Sequence, residues 1–252
     1  MCITEEEILL QTSTPLTPMQ WIEIQKPAPV LNTADFSSVF SGNRLPLNEN
    51  GHPYHFEFVA LPGMRFQVSQ EISPFILQIL WPDYDVKQLY IDRRFTIPCS
   101  GPSATKTLSF SAKALLAHME GRLGVPYVWG GNWASGIPEM FSFYPPSEKL
   151  EPRIETLWTF QGLDCSGLLF EASGGLTPRN TSQLLSFGKP LDHENLLPMD
   201  MIVYPGHVLF VRDAKTIIES KSPFGVRLYP LAERLKEILQ TTSYFSLRRF
   251  AN

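Results

Sequence analysis

The chain has 252 residues, of which 43% are hydrophobic and 18% are charged, enough to bury the core of one large domain or two small ones. Its net charge of -4, from 21 basic and 25 acidic residues, argues against nucleic-acid binding, which usually needs a clustered basic excess. No apolar run approaches the roughly 18 to 20 residues of a membrane-spanning helix, so we expect no membrane span.

The amino terminus, MCITEEEILL, has acidic residues where a secretory signal carries lysine or arginine. It also lacks an apolar segment followed by a small-residue cleavage site, so a cytoplasmic location is expected. The three cysteines, Cys2, Cys99 and Cys165, fit neither a disulfide framework nor a zinc site. Because their number is odd, at least one thiol is free.

The first part of the chain, residues 1–104, predicts a small all-β domain. Short runs rich in β-branched and aromatic residues are bounded there by Pro, Gly or Asp: HFEFVALP, MRFQVSQ, FILQILWP and QLYIDRRFTIP. Turn signals at such spacing are typical of a small barrel or sandwich. The segment CSGPSATKT, residues 99–107, is the predicted linker.

Residues 105–252 show a different pattern. SFSAKALLAHMEGRLG has apolar residues at helical spacing, a second helix is predicted to start at Cys165, and a third short one covers 180–188. From Met201, the segment MIVYPGHVLFVRDAKTIIES predicts three strands separated by a Pro-Gly break and a turn at Asp213. Helices followed by an antiparallel sheet predict an α+β domain.

Cys165 lies at the start of its predicted helix, directly after Asp164. A cysteine is a nucleophile as the thiolate, and a helix amino terminus or a neighbouring imidazolium lowers the pKa of the thiol. Free cysteine is also among the most buried residue types. Taken alone, Cys165 therefore fits a structural thiol as well as a nucleophile.

A catalytic thiol requires a histidine brought near it by the fold. Of the five histidines, His207 is the strongest candidate because it follows Pro-Gly at the start of a predicted strand. Twelve residues later, across the turn, the hairpin brings Glu219 alongside it, where a carboxylate fixes the ring tautomer and stabilises the imidazolium. Spacing alone leaves a thiol hydrolase as one option among several. The other histidines are His52, His55, His118 and His193.

Four blocks occur in the order LGVPYVWGG, GLDCSGLLFEA, DMIVYPGHVLFV and TIIES. Together, over about residues 108–225, they resemble the NlpC/P60 family of cysteine peptidases. The resemblance implies a papain-like α+β fold, with helices packed on an antiparallel sheet, and action on bacterial cell-wall peptides. It also implies that Cys165 is the nucleophile, His207 the general base and then acid, and position 219 the orienting residue. No metal or organic cofactor is implied.

Two features depart from the family pattern. Position 219 is most often histidine, and because a carboxylate holds an imidazolium more strongly, Glu219 predicts activity with a shifted pH profile. A 32-residue insertion, 132–163, replaces the usual short link before the cysteine block. It is expected either to wall off one end of the cleft or to serve as a packing insertion or dimer contact.

The β domain resembles the bacterial SH3-like domains that precede the peptidase in enzymes of cell-wall peptide recycling. Those enzymes cut between γ-D-glutamate and the diamino acid when the preceding L-alanine has a free amine. The resemblance implies that Tyr127, Asp164 and Ser166 bind this amine, helix capping being the alternative role of the last two. An acid of the β domain usually completes the pocket, and the candidates are Glu71, Asp83 and Asp85.

The leading hypothesis is a cytoplasmic γ-D-glutamyl-L-diamino acid endopeptidase acting on released L-Ala-γ-D-Glu-diamino acid peptides. One alternative is the same chemistry on assembled peptidoglycan. The other is a non-catalytic module that keeps the fold and binds cell-wall peptides or a partner.

Overall fold

The computed structural model describes residues 20–102, 109–192 and 195–252. Within these ranges the protein is a mixed α/β structure with two large antiparallel sheets, one in each half of the chain. Cys2, His193 and residues 103–107 of the predicted linker lie outside the described residues, as does the predicted domain boundary after residue 104. None of the helices in these ranges is long and apolar enough to cross a membrane.

The first sheet has seven strands in the order β3-β2-β6-β5-β4-β1-β7. The four predicted runs form β3 to β7, which confirms the β-rich character of this part. The runs of β1 and β2 are only four residues each, too short for a periodic signal. The strands are β1 (Trp21–Ile24), β2 (Ala28–Leu31), β3 (Phe56–Ala60), β4 (Arg65–Glu71), β5 (Ile76–Leu80), β6 (Leu89–Asp92) and β7 (Thr96–Cys99), with a short helix α1 (Phe36–Val39) after β2 and a 3-10 turn (Arg93–Phe95) before β7.

The second sheet has six strands in the order β10-β15-β11-β12-β13-β14. Its centre is the predicted hairpin set, since the three strands expected from Met201 onward are all present. The strands are β10 (Lys189–Pro190), β11 (Met201–Tyr204), β12 (His207–Val211), β13 (Thr216–Lys221), β14 (Gly225–Pro230) and β15 (Ser246–Arg249), and a separate two-stranded pair joins β8 (Asn132–Trp133) to β9 (Gly162–Leu163).

The described helices include the three predicted ones, each shorter than its sequence pattern suggested. The helix that starts at Cys165 is capped by the Asp164 side chain and has seven of its eight residues buried. The helices are α2 (Ala112–Glu120), α3 (Glu139–Phe143), α4 (Pro152–Trp158), α5 (Cys165–Ala172), α6 (Thr181–Leu184) and α7 (Leu231–Thr241).

The amino-terminal end of α5 is held against the loop before β8. Gly167 allows this approach, because a Cβ at that position would lie 2.0 Å from the carbonyl oxygen of Gly131. On its other side α5 packs on the second sheet, where Leu168, Phe210 and Ile218 share one buried core. The tight packing fixes the position of the first helical residue, Cys165, relative to β12.

The insertion packs on the first sheet. Trp158 and Phe160 are fully buried, the Phe160 ring stacks on Phe56 with 3.7 Å between centroids, and the two residues belong to the same apolar core as the seven strands. The Trp158 indole donates a 3.0 Å hydrogen bond to the carbonyl of Tyr144. Helices α3 and α4 therefore extend the amino-terminal β unit, which is the seven-stranded first sheet with its connecting loops. This is as expected for a packing insertion.

Replacing Trp158 with alanine is expected to lower the free energy of unfolding by about 3 to 5 kcal/mol, the usual cost of a large cavity in a core. Chemical denaturation measures this cost. The matched control is Trp129→Ala, because Trp129 is 47% exposed and its removal leaves no closed cavity. Equal losses for the two variants would show that Trp158 is not part of a stabilising core.

Candidate active site

Cys165 is the first residue of α5 and is 5% exposed. The preceding Asp164 adopts an extended conformation, and its carboxylate accepts a 2.6 Å hydrogen bond from the Gly167 amide. The Cys165 thiol lies 3.8 Å from the carbonyl oxygen of Gly206. The thiol therefore faces the turn between β11 and β12, one residue before His207.

His207 and Glu219 are hydrogen-bonded, as the hairpin spacing predicts. His207 begins β12 and Glu219 lies in the middle of β13, with 2.8 Å between Nε2 of the ring and Oε2 of the carboxylate. The histidine side chain is 12% exposed and that of the glutamate is fully buried. Because Nε2 is engaged, Nδ1 is the ring nitrogen left to exchange a proton with a substrate or a thiol.

Two arginines share the Glu219 carboxylate with His207. Arg227 of β14 donates to Oε1 from Nε at 3.1 Å and from Nη2 at 2.8 Å, and Arg234 of α7 donates to Oε2 at 3.0 Å. Arg234 is 2% exposed and also donates to the Tyr204 hydroxyl and the Glu237 carboxylate. Neither arginine was predicted. The signal that pointed to them is an acid inside the apolar strand TIIES, since a buried charge needs a partner.

Burial disfavours the charged form of Glu219, but hydrogen bonds and charge from His207 and the two arginines outweigh it and lower the pKa of this carboxyl to about 2. The group is therefore an anion throughout the physiological range. Its charge is divided among three donors, so it fixes the orientation of the His207 ring while binding that ring less strongly than an isolated carboxylate would. The shifted pH profile expected from Glu219 stays a prediction.

The environment of the Cys165 thiol favours its protonated form. Burial raises the pKa of this thiol to about 12, and the negative charge of Asp164 acts in the same direction. Backbone amides of Val208 and Ser166 lower it only in part. Burial therefore opposes thiolate formation at the start of α5, and a nucleophilic role requires a base that removes the proton during reaction.

Asp164 and Ser166 belong to a buried network around Arg179. The Arg179 guanidinium, 3% exposed, donates to both carboxylate oxygens of Asp164, at 3.1 and 2.6 Å, and to the Ser166 hydroxyl at 2.9 Å. Asp164 also accepts from the Gly130 amide, in addition to its capping bond. Capping by Asp164 is thus present, whereas amine binding by Asp164 and Ser166 stays a prediction. Arg179 was not predicted, because nothing in its loop, LTPRNTS, indicates burial.

These residues line one cleft of about 370 Å³. Cys165, Asp164, Ser166 and Tyr127 all face it, so the fold brings the predicted amine-binding residues together with the thiol. Strand β3 and the loop between β5 and β6 supply another part of the wall, with Glu57 from the strand and Tyr84 and Asp85 from the loop. The cleft therefore lies where the two halves of the chain meet.

Glu57 is an acid of the β unit that lines the cleft and was not among the acids named from the sequence. It lies on β3, where Tyr84 donates to Oε2 at 3.1 Å and Asn32 donates to Oε1 at 2.8 Å. Burial raises the pKa of this carboxyl. Glu57 was not predicted from the sequence. Its position between the apolar residues of FEFVA was nevertheless a signal of a buried acid.

The three acids named from the sequence lie elsewhere or are already engaged. Asp85 lines the cleft, but its Oδ2 accepts hydrogen bonds from Asn180 and Ser182. Glu71 forms a salt bridge with Arg93. Asp83 accepts a hydrogen bond from Gln183 through its backbone carbonyl rather than its carboxylate. Asp85 and Glu57 are thus the acids of the β unit in the described lining of the cleft, and completion of an amine pocket by any of these acids stays a prediction.

The other described histidines have partners of their own. His118 lies 3.1 Å from Glu171, His55 is hydrogen-bonded to Asn32, and His52 stacks on Trp129. Within the described ranges, no group of three His, Cys, Asp or Glu side chains is placed to hold a metal ion. Among the described histidines, His207 is the one that directly follows Gly206, whose carbonyl lies 3.8 Å from the Cys165 thiol.

No family model matches the chain, and no curated protein matches it. Solved structures similar to it include an NlpC/P60 family protein from Bacillus cereus, with 17% identity over 93% of this chain and 64% of that one and a TM-score of 0.39. The peptidoglycan hydrolase RipB from Mycobacterium tuberculosis matches at 19% identity over 56% of this chain and 65% of that one, also with a TM-score of 0.39.

A third similar structure is RipD from Mycobacterium tuberculosis, a non-catalytic NlpC/p60 domain protein adapted to peptidoglycan binding. It has 21% identity over 55% of this chain and 95% of that one, with a TM-score of 0.39. The chain spans 64% and 65% of the lengths of the first two structures. At these identities and TM-scores the similarities carry no functional argument, which rests on the residues of the cleft.

Proposed function

We propose that this protein is a cysteine peptidase of the NlpC/P60 type. In this proposal it cleaves the γ-D-glutamyl-L-diamino acid bond of released cell-wall peptides whose L-alanine has a free amine, in the cytoplasm. The observation that carries the proposal is one cleft in which the Cys165 thiol faces Tyr127, Asp164 and Glu57. His207 directly follows Gly206, whose carbonyl lies near the thiol, and its ring is hydrogen-bonded to Glu219.

The reaction needs no group beyond these side chains and water. Nδ1 of His207 takes the thiol proton as Cys165 attacks the γ-glutamyl carbonyl, and the carbonyl oxygen becomes an oxyanion. The amides of Cys165 and Ser166, at the start of α5, have no carbonyl of the preceding helical turn to donate to and are suited to bind it. The imidazolium then donates its proton to the leaving amine of the diamino acid, which leaves a thioester. Water, deprotonated by His207, hydrolyses the thioester and regenerates the thiol.

The acidic wall of the cleft supports recognition of an ammonium group. Asp164 is saturated by Arg179 and by backbone amides, so Glu57 is the carboxylate with more acceptor capacity left. An ammonium beside Glu57 would favour its charged form against the burial that now raises its pKa. In this proposal the β unit corresponds to the SH3-like domain of the family, and its contribution to the site is Glu57.

The test compares L-Ala-γ-D-Glu-diaminopimelate with its N-acetylated form, with mass-spectrometric detection of the released dipeptide. We expect cleavage of the free peptide only. Glu57→Gln is expected to lower kcat/KM for the free peptide by roughly 10- to 100-fold, the effect of losing a charge-assisted hydrogen bond. The change should appear mainly in KM, because Glu57 does not touch the reacting carbonyl.

Glu71→Gln is the matched control, since Glu71 lies on the same sheet but pairs with Arg93 away from the cleft. It is expected to leave kcat/KM unchanged. Equal cleavage of the acetylated peptide would overturn the free-amine requirement. Equal release from intact peptidoglycan would instead favour a cell-wall hydrolase with the same chemistry.

A further inference from the structure

A second cavity, of about 340 Å³, adjoins the catalytic cleft. Tyr127 and Trp129 line both spaces, so these two side chains form the boundary between them. The far wall of the second cavity combines a loop of the β unit, at Gly51 and His52, with α4 of the insertion, at Arg153. The 32-residue insertion thus helps to build a space next to the thiol.

The two spaces differ in charge. The catalytic cleft has the carboxylates of Glu57, Asp85 and Asp164 in its wall, with one arginine. The second cavity has Arg153 and His52 and no acidic residue in its described lining. Across the described ranges, no carboxylate oxygen lies within 4 Å of the Arg153 guanidinium. One side of the Tyr127 and Trp129 boundary therefore suits a cation and the other suits an anion.

Arg153 is an exposed residue whose side chain lines the second cavity. Its Nη2 donates a 3.0 Å hydrogen bond to the carbonyl of Gly51, and a Cβ at residue 51 would lie 2.4 Å from that nitrogen. A guanidinium has five N–H donors, and this hydrogen bond uses one of them. Gly51, whose φ is +71°, leaves space for the Arg153 guanidinium beside it. The other N–H donors of Arg153 are then available to a ligand.

His52 completes the polar wall. Its ring lies parallel to that of Trp129, with 5.1 Å between centroids. Burial and the charge of Arg153 lower the pKa of His52, so near neutral pH the ring is uncharged and can donate one N–H. Arg153 is then the cation of the cavity, and His52 is a neutral hydrogen-bonding group beside it.

We propose that the second cavity is a carboxylate-binding subsite in which Arg153 binds a carboxylate of the same peptide whose ammonium lies in the catalytic cleft. This inference rests on the proposed peptidase function. An L-Ala-γ-D-Glu-diamino acid peptide has the alanine ammonium at its amino end, followed by carboxylates at the glutamate α-carbon and on the diamino acid, whose side chain bears a second ammonium. The charge distribution across Tyr127 and Trp129 matches this order. The insertion then contributes to peptide recognition through α4, besides packing on the β unit.

Three peptides and one variant test the subsite: the all-acid peptide, its glutamate α-amide and its diamino-acid carboxamide. Arg153→Met is expected to lower kcat/KM for the all-acid peptide by roughly 10- to 100-fold, as one charge-assisted contact is lost. One of the two amide peptides lacks the carboxylate that Arg153 binds. For that peptide, the wild-type kcat/KM should be lower by a similar factor, and Arg153→Met should cause no further loss. This identifies which carboxylate is bound. Arg153→Lys should retain part of the activity.

Arg44→Met is the matched control, because Arg44 is an exposed arginine of the same β unit, and it is expected to change nothing. The subsite is overturned if Arg153→Met cleaves the all-acid peptide as the wild type does, or loses the same fold on all three peptides. If the wild type cleaves none of them, the proposed peptidase function fails separately. The subsite is then decided by calorimetry on Cys165→Ala protein, where equal affinity for acid and amide peptides would contradict it.

Discussion

The His207→Gln variant is expected to lose peptide cleavage by roughly 10²- to 10⁴-fold in kcat, the usual contribution of a positioned general base and acid. The reason is the state of the nucleophile. Burial and Asp164 raise the pKa of the Cys165 thiol to about 12, so without a base the thiolate is scarce at neutral pH. Steady-state kinetics on the free-amine peptide measures the loss, and KM should change much less.

His118→Gln provides the control for this result. His118 also lies against a buried carboxylate, at 3.1 Å from Glu171, but belongs to α2, whereas His207 directly follows Gly206, whose carbonyl lies 3.8 Å from the thiol. Its replacement should leave kcat unchanged. A similar kcat for His207→Gln and wild type would show that another group activates Cys165.

The Glu219→Gln substitution is expected to lower the free energy of unfolding by about 3 to 5 kcal/mol near neutral pH. Removing the charge from a buried pair leaves its partners uncompensated, and here Arg227 and Arg234 would both face a neutral amide. Glu237→Gln is the matched control, because Glu237 also accepts a hydrogen bond from Arg234 but is 39% exposed. Its effect should be far smaller, and chemical denaturation measures both.

The decrease in unfolding free energy caused by Glu219→Gln should depend on pH. The pKa of Glu219 is lowered from 4.5 to about 2 in the folded protein, so its stabilising charge is fully present above pH 4.5 and is lost as the pH falls toward 2. The difference in unfolding free energy between wild type and variant should therefore shrink across that window. A difference that stays constant down to pH 2 would contradict the charged cluster.

The same cluster predicts that histidine is a poor substitute at this position, although the related family most often has it there. Glu219→His would place a basic ring between Arg227 and Arg234, and we expect it to destabilise the fold at least as much as glutamine does. Combining either substitution with Arg234→Gln should recover part of the lost stability, because one uncompensated charge is removed. Full stability of Glu219→His alone would rule out this explanation.

The parts of the site that sequence alone predicts are those fixed by local chain geometry. The hairpin from Met201 follows from its apolar runs and Pro-Gly break, and the pairing of His207 with Glu219 follows from the hairpin. Cys165 at the start of α5 follows from the Asp164 cap and the apolar run after it. Local sequence patterns of this kind predict the structure correctly because the tertiary packing favours the same conformations.

The residues that sequence analysis missed are brought in by contacts distant along the chain. Arg179 meets Asp164 across 15 residues, Arg234 reaches Glu219 from a different element, and Glu57 reaches the cleft from the other half of the protein. No local pattern encodes such contacts. Polar residues inside apolar strands, at 57 and 219, were nevertheless a usable signal, since buried charges require partners.

The most direct test of the central claim, a Cys165 nucleophile in a free-amine-selective cleft, is affinity labelling with peptide mapping. The reagent is L-Ala-γ-D-Glu carrying a chloromethyl ketone in place of the scissile amide, used alongside its N-acetylated form. We predict that the free-amine reagent labels Cys165 in preference to the partly exposed Cys99, at least about tenfold faster than the acetylated reagent does. Labelling of Cys99 at the same rate, or indifference to acetylation, would contradict the account.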